Sequence, residues 1–116
     1  VIATLSNGNV ALLTNMAKHA KLPWDCILSA EVVRHYKPDP ETYLGAADLL
    51  GVQPQELMMV AAHKDDLDAA ARAGLRTAFV QRPLEFGDPA KKDLAFEPRF
   101  DVNAKEFVDL ARKLGC

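Results

Sequence analysis

The side chains that most often staple small folds or bind metal are scarce in this chain: 116 residues hold two cysteines and three histidines. Cys26 and Cys116 stand far apart with no partner motif, which reads as reduced thiols in a cytoplasmic protein, a long-range disulfide being the lesser alternative. His19, His35 and His63 fall at no metal-ligand spacing, so the histidines by themselves point to no metal site. An excess of one charge is missing too. With 14 Lys and Arg against 16 Asp and Glu, interspersed, the net charge of -2 leaves no basic stripe for nucleic acid and no polybasic membrane patch. The longest apolar run, Leu57 to Ala62, is strand-sized and far short of the ~20 residues of a membrane-spanning helix. A small molecule is therefore the expected partner, and with 49% apolar residues the chain can bury an ordinary core.

What is present is an alternation of strands and helices. Val1 to Leu5 reads as a strand, and Asn9 to Ala20 as a helix with Leu13, Met16, Ala17 and Ala20 on one face. A second short strand lies within Trp24 to Ser29, followed by a connecting segment over Glu31 to Tyr36. Asp39 as N-cap, Pro40 in the first turn and Gly51 at the end bracket a helix carrying Tyr43, Ala46, Ala47 and Leu50 on one face. Leu57 to Ala62, Asp66 to Ala73 and Arg76 to Val80 form a strand, helix, strand unit of near-minimal crossover length, which requires parallel pairing. Gln81 to Arg99 reads as a surface loop with Phe86 and Phe96 turned inward. Val102 can add an edge strand, and Ala104 to Leu114 closes as a helix. The fold class is α/β, a doubly wound parallel sheet.

In such sheets ligands sit beyond the carboxyl ends of the strands, where three polar stops fall. Ser6-Asn7-Gly8-Asn9 follows the first strand and opens a helix, whose N–H groups favour an anion; Ser6 or Asn7 acting only as a cap is the plainer alternative. Lys37 precedes Pro38, which is expected to hold it extended; taken alone, it reads as a solvated surface cation. Asp66 enters the first turn of its helix, where an acid also serves the helix dipole alone.

Taken in order, these residues resemble the haloacid dehalogenase superfamily and, within it, the type II 2-haloacid dehalogenases. Ser6, in Leu5-Ser6-Asn7-Gly8, resembles the motif whose hydroxyl bonds the substrate anion. Lys37, in Tyr36-Lys37-Pro38-Asp39-Pro40, resembles the motif lysine that holds the nucleophilic aspartate and the substrate carboxylate. Asp66 takes the position of the last acid of the fourth motif, and Tyr43 that of a tyrosine near the reacting carboxylates. The resemblance implies a Rossmannoid core with Lys37, Asp66 and Ser6 as catalytic residues and Ser6, Asn7, Tyr43 and His63 as substrate-binding residues. His63 as a bystander at the helix mouth stays equally open.

One departure separates two activities. Magnesium-dependent phosphatases of the superfamily carry Gly-Asp where this chain has Ala61-Ala62, and replacing that acid by a methyl group removes a ligand that a hard cation needs. The resemblance thus implies hydrolysis of a short 2-halo carboxylic acid through an aspartyl ester, with no metal and no cofactor, and with the phosphatase and a non-catalytic carboxylate binder as alternatives. A receiver-type signalling module uses similar residues in a different order. The nucleophile-bearing strand and the cap are absent from residues 1–116, so the chain is expected to be the C-terminal part of a core domain. Its expected partners are the halo acid, the remainder of the parent polypeptide and, as an open option, a second copy in a homodimer. Ser6, Lys37 and Asp66 are expected to converge on one pocket.

Overall fold

The computed structural model describes residues 1–88 and 93–116, as two compact units, Val1–Pro54 and Gln55–Cys116. Four residues of the expected loop over Gln81 to Arg99 lie outside the described residues. The architecture is α/β, and every strand pairing is parallel.

In the first unit, β1 (Ala3–Ser6) lies beside β2 (Cys26–Ser29), with Ser6 opposite Ser29. Between them α1 (Val10–Ala20) starts where the Asn9 side chain accepts a hydrogen bond from the Leu12 N–H at 2.8 Å. It stops at Lys21, whose φ of 55° is left-handed. The apolar stripe foreseen on α1 exists, but none of its residues is fully buried. The expected connecting segment begins instead as a helical turn, α2 (Ala30–Val33), because the Ser29 hydroxyl accepts from the Glu31 N–H at 3.1 Å and Arg34 ends it in the left-handed region.

Helix α3 (Pro40–Leu50) has the foreseen bounds, from Pro40 to a Gly51 at φ 70°. Asp39 holds the cap position without capping through its side chain; its carboxylate lies 3.8 Å from His35 Nδ1. Tyr43 and Thr42 on α3 are fully buried beside Ala46 and Ala47. At Gly45 a Cβ would sit 3.0 Å from Val33 Cγ1, so the glycine eases the close approach of α3 to α2.

In the second unit the strands run β3 (Met58–Ala61), β4 (Arg76–Val80), β5 (Val102–Ala104), side by side in that order. Alternation along β4 sorts the core into two faces. Phe79 packs with Leu67 of α4 (Lys64–Arg72) and with Phe100, while Ala78 and Val80 pack with Leu110 of α5 (Phe107–Lys113). Helices thus cover both faces, as a doubly wound sheet requires. Each fully buried large side chain contributes about 1.5–3 kcal/mol to folding.

Three expectations are corrected here. Helix α4 starts at Lys64, two residues earlier than foreseen, and the expected start of the last helix at Ala104 is the end of β5. Glu106 caps α5 instead, accepting from the Val108 and Asp109 N–H groups. Phe86 is 59% exposed rather than turned inward. Phe96 is 43% exposed, although its ring meets Phe79 edge-on at 6.4 Å. Among the described residues β1 pairs with β2 alone and β3 with β4 alone, so each unit keeps a strand edge with unpaired backbone groups.

A charge network ties α4 to the segment before β5. Arg99 grips Asp68 with two hydrogen bonds, of 2.8 and 3.2 Å, and also binds Glu97, while Lys64 Nζ lies 2.8 Å from Asp93 and 3.3 Å from Glu97. The Arg99 hydrogen bonds hold the Asp68 carboxyl below the ordinary carboxylate range, outweighing the opposing effect of burial. A depressed carboxyl adds stability above its unfolded value of about 4, and that stability disappears as pH falls through the folded value. Asp68→Asn should therefore lower the urea midpoint at neutral pH and flatten its acid-side decline. Superimposable midpoint-against-pH curves for variant and parent would remove the pair from the stability of this unit.

Candidate active site

Ser6 ends β1 and its Oγ accepts a hydrogen bond from the Gly8 N–H at 3.0 Å, which leaves the hydroxyl proton to be donated elsewhere. The carboxamide of Asn7 is used twice on one residue. Its Oδ1 accepts from the Lys37 N–H at 2.8 Å, and its Nδ2 donates to the Lys37 carbonyl at 3.3 Å. This pair copies a backbone ladder and ties residues 30 apart in sequence. Lys37, half-buried, is joined to Pro38 by a cis peptide bond. The hydroxyl of the first polar stop and the lysine of the second thus belong to one hydrogen-bonded loop pair.

Tyr43 is wholly enclosed in the core of this unit, on the face it shares with Ala46 and Ala47. The His35, Asp39 and Glu41 side chains place three ligand-type atoms within 4.8 Å of one another, all exposed, at the start of α3. Histidine spacing alone missed this group because two of its members are carboxylates.

In the second unit the carboxyl end of β3 leads through Ala62 into His63, the N-cap of α4, whose imidazole makes no cap bond. Asp65 and Asp66 occupy the first turn, where their charge suits the helix dipole. The imidazole turns outward to Glu85: Nε2 lies 2.8 Å from Oε1, and the other carboxylate oxygen lies 3.1 Å from Arg82. Sequence reading placed Glu85 in a surface loop, yet its side chain is only 12% exposed. The signal that could have found it is an acid just after a strand's carboxyl end. Lys64, beside His63, is drawn away to Asp93 and Glu97, with its ammonium 5.1 Å from the Phe79 ring centre. The structure joins Ser6, Asn7 and Lys37 in one unit and sets His63 and Asp66 at the mouth of α4 in the other.

Among the described residues no helix is long and apolar enough to cross a membrane. Comparison with known proteins gives the family. Residues 2–80 match the model of the haloacid dehalogenase-like hydrolases. The (S)-2-haloacid dehalogenase 4A of Burkholderia cepacia is 38% identical over 97 residues, which cover 82% of this chain and 41% of that protein. The pyrophosphatase PpaX of Bacillus cereus is 36% identical over 85 residues, covering 73% and 39%. The crystal structure of the L-2-haloacid dehalogenase PA0810 superposes with a TM-score of 0.91 at 54% identity, covering 97% of this chain and 49% of that one. The chain thus spans less than half the length of each of these three proteins. Matched over most of its length, the chain belongs to the haloacid dehalogenase-like hydrolase family.

Proposed function

We propose that this chain supplies the charge-holding half of a 2-haloacid dehalogenase, which converts a short 2-halo carboxylic acid to the 2-hydroxy acid. The observation that carries the reading is the Asn7 bridge: it fixes the Lys37 backbone against the loop that presents Ser6. A carboxylate needs such a pair, a cation and a hydroxyl donor held in register.

The nucleophile in this reading is an aspartate from polypeptide outside residues 1–116. Its carboxylate oxygen bonds to the halogen-bearing carbon as halide leaves with the bonding electrons. Water then opens the aspartyl ester, releasing the hydroxy acid and restoring the aspartate. The Lys37 ammonium faces the nucleophile and the substrate carboxylate, and Ser6 donates its hydroxyl proton to that carboxylate. The carboxamide of Asn7 is committed to Lys37, so Asn7 offers the substrate its backbone N–H. Asp66 and His63 stay in the reading as the polar residues of the second unit, at the start of α4, and Tyr43, fully buried, as packing of the first.

The similarity to PpaX favours a second reading, a magnesium-dependent phosphatase. Against it stands Ala62, which gives a cation no oxygen where phosphatases of the superfamily have an acid. The test is direct. The full-length polypeptide is expected to release chloride from 2-chloropropanoate in the presence of EDTA, and residues 1–116 alone to release none. Magnesium-dependent hydrolysis of a phosphate ester with no chloride release would replace the first reading by the second.

A further inference from the structure

Glu85 carries an inference that rests on the dehalogenase reading and deepens it. Its carboxylate is shielded, 12% exposed, and is held on both sides, by His63 Nε2 at 2.8 Å and by Arg82 at 3.1 Å. Shielding a carboxylate costs free energy unless both oxygens find partners, and among the described residues these include a cation and an imidazole. Arg82 and Glu85 belong to the segment that leaves the carboxyl end of β4, and His63 to the turn that leaves the carboxyl end of the adjacent β3. A carboxylate acceptor on Nε2 fixes that nitrogen as the protonated one, so Nδ1 of the neutral ring is left as an acceptor.

We infer that Glu85, braced by Arg82, is a positioning residue that sets the tautomer of His63 so that Nδ1 takes a proton from the water that opens the aspartyl ester. In that step the water oxygen bonds to the ester carbonyl carbon and one water proton passes to Nδ1. The carbon–oxygen bond to the product then breaks, with its electron pair leaving on the 2-oxygen. That oxygen recovers the proton from His63, and the new carboxylic acid releases its own proton to solvent. Throughout, Nε2–H stays on Glu85.

The experiment compares Glu85→Ala, Glu85→Gln and His63→Ala in the full-length enzyme, following chloride release and, by mass spectrometry of quenched enzyme, the ester. Glu85→Ala is expected to lower kcat about 10- to 100-fold with KM falling alongside and ester accumulating. Glu85→Gln, whose carbonyl still accepts from Nε2–H, should recover part of the loss. The double variant should be no slower than His63→Ala alone. Losses that multiply in the double variant, or a slower enzyme with no ester accumulation, would overturn the inference and reduce Glu85 to a loop anchor.

A second readout does not depend on turnover. Nitrogen-15 spectra of the neutral His63 ring should show Nε2 protonated in the parent and a mixture of tautomers in Glu85→Ala. An Nδ1-protonated ring in the parent overturns the inference whatever the substrate. Absence of chloride release by the parent enzyme, with the tautomer result intact, would instead count against the dehalogenase reading.

Discussion

Lys37→Ala in the full-length polypeptide should cut chloride release from 2-chloropropanoate by about 10²–10³-fold, the usual cost of removing one charge-stabilising group from a preorganised site. The argument is that the substitution removes an ammonium without moving the chain. Both bonds from Asn7 go to the Lys37 backbone, so the loop keeps its anchor when the side chain is cut back. Lys37 and Pro38 also sit in a turn closed by the Asp39 N–H on the Tyr36 carbonyl at 2.8 Å, a bond that uses no atom of the Lys37 side chain. Loss should appear in kcat more than in stability, and Lys37→Arg should restore part of it. The arginine fork cannot reproduce a compact point charge, so full recovery is not expected. Unchanged chloride release by Lys37→Ala, measured on folded enzyme, would remove Lys37 from the chemistry.

The largest effect on stability should come from Phe79→Ala. Phe79 is fully buried and lies between Leu67 of α4 and Phe100, with ring centres 5.9 Å apart in the aromatic pair. Phe96 meets it edge-on, and the Lys64 ammonium stands over its face. Truncating such a ring costs about 3–5 kcal/mol, because the cavity only partly collapses. Against a domain stability of about 5–15 kcal/mol, that is a fifth or more of the whole margin. Urea unfolding followed by circular dichroism checks this, with Phe79→Leu as the gentler control. A loss below about 1 kcal/mol for Phe79→Ala would mean that this face of the sheet is less tightly packed than its burial indicates.

Local punctuation was legible without coordinates. Pro40 and Gly51 bound α3 at the foreseen residues, since proline suits a first helical turn and only glycine enters the left-handed region at no steric cost. The strands around Met59 and Ala78 were legible as apolar runs. Ala62, a methyl group where phosphatases of the superfamily carry an acid, is the residue on which the choice between the two proposed chemistries rests. Asp39 shows the limit of this reading: the cap position was right, but the side chain makes no cap hydrogen bond and lies 3.8 Å from the His35 imidazole.

The sequence by itself determined the order of strands and helices, the parallel pairing that short crossovers demand, and the candidate hydroxyl, lysine and acid. Those follow from periodicity and from the backbone limits of proline and glycine, which act over a few residues. Only the tertiary structure decided who holds whom: Asn7 on the Lys37 backbone, Glu85 on His63, Lys64 withdrawn to Asp93 and Glu97. Each of these joins residues more than 20 positions apart, and a polar side chain's partner at that range is set by which loops the packed sheet brings together.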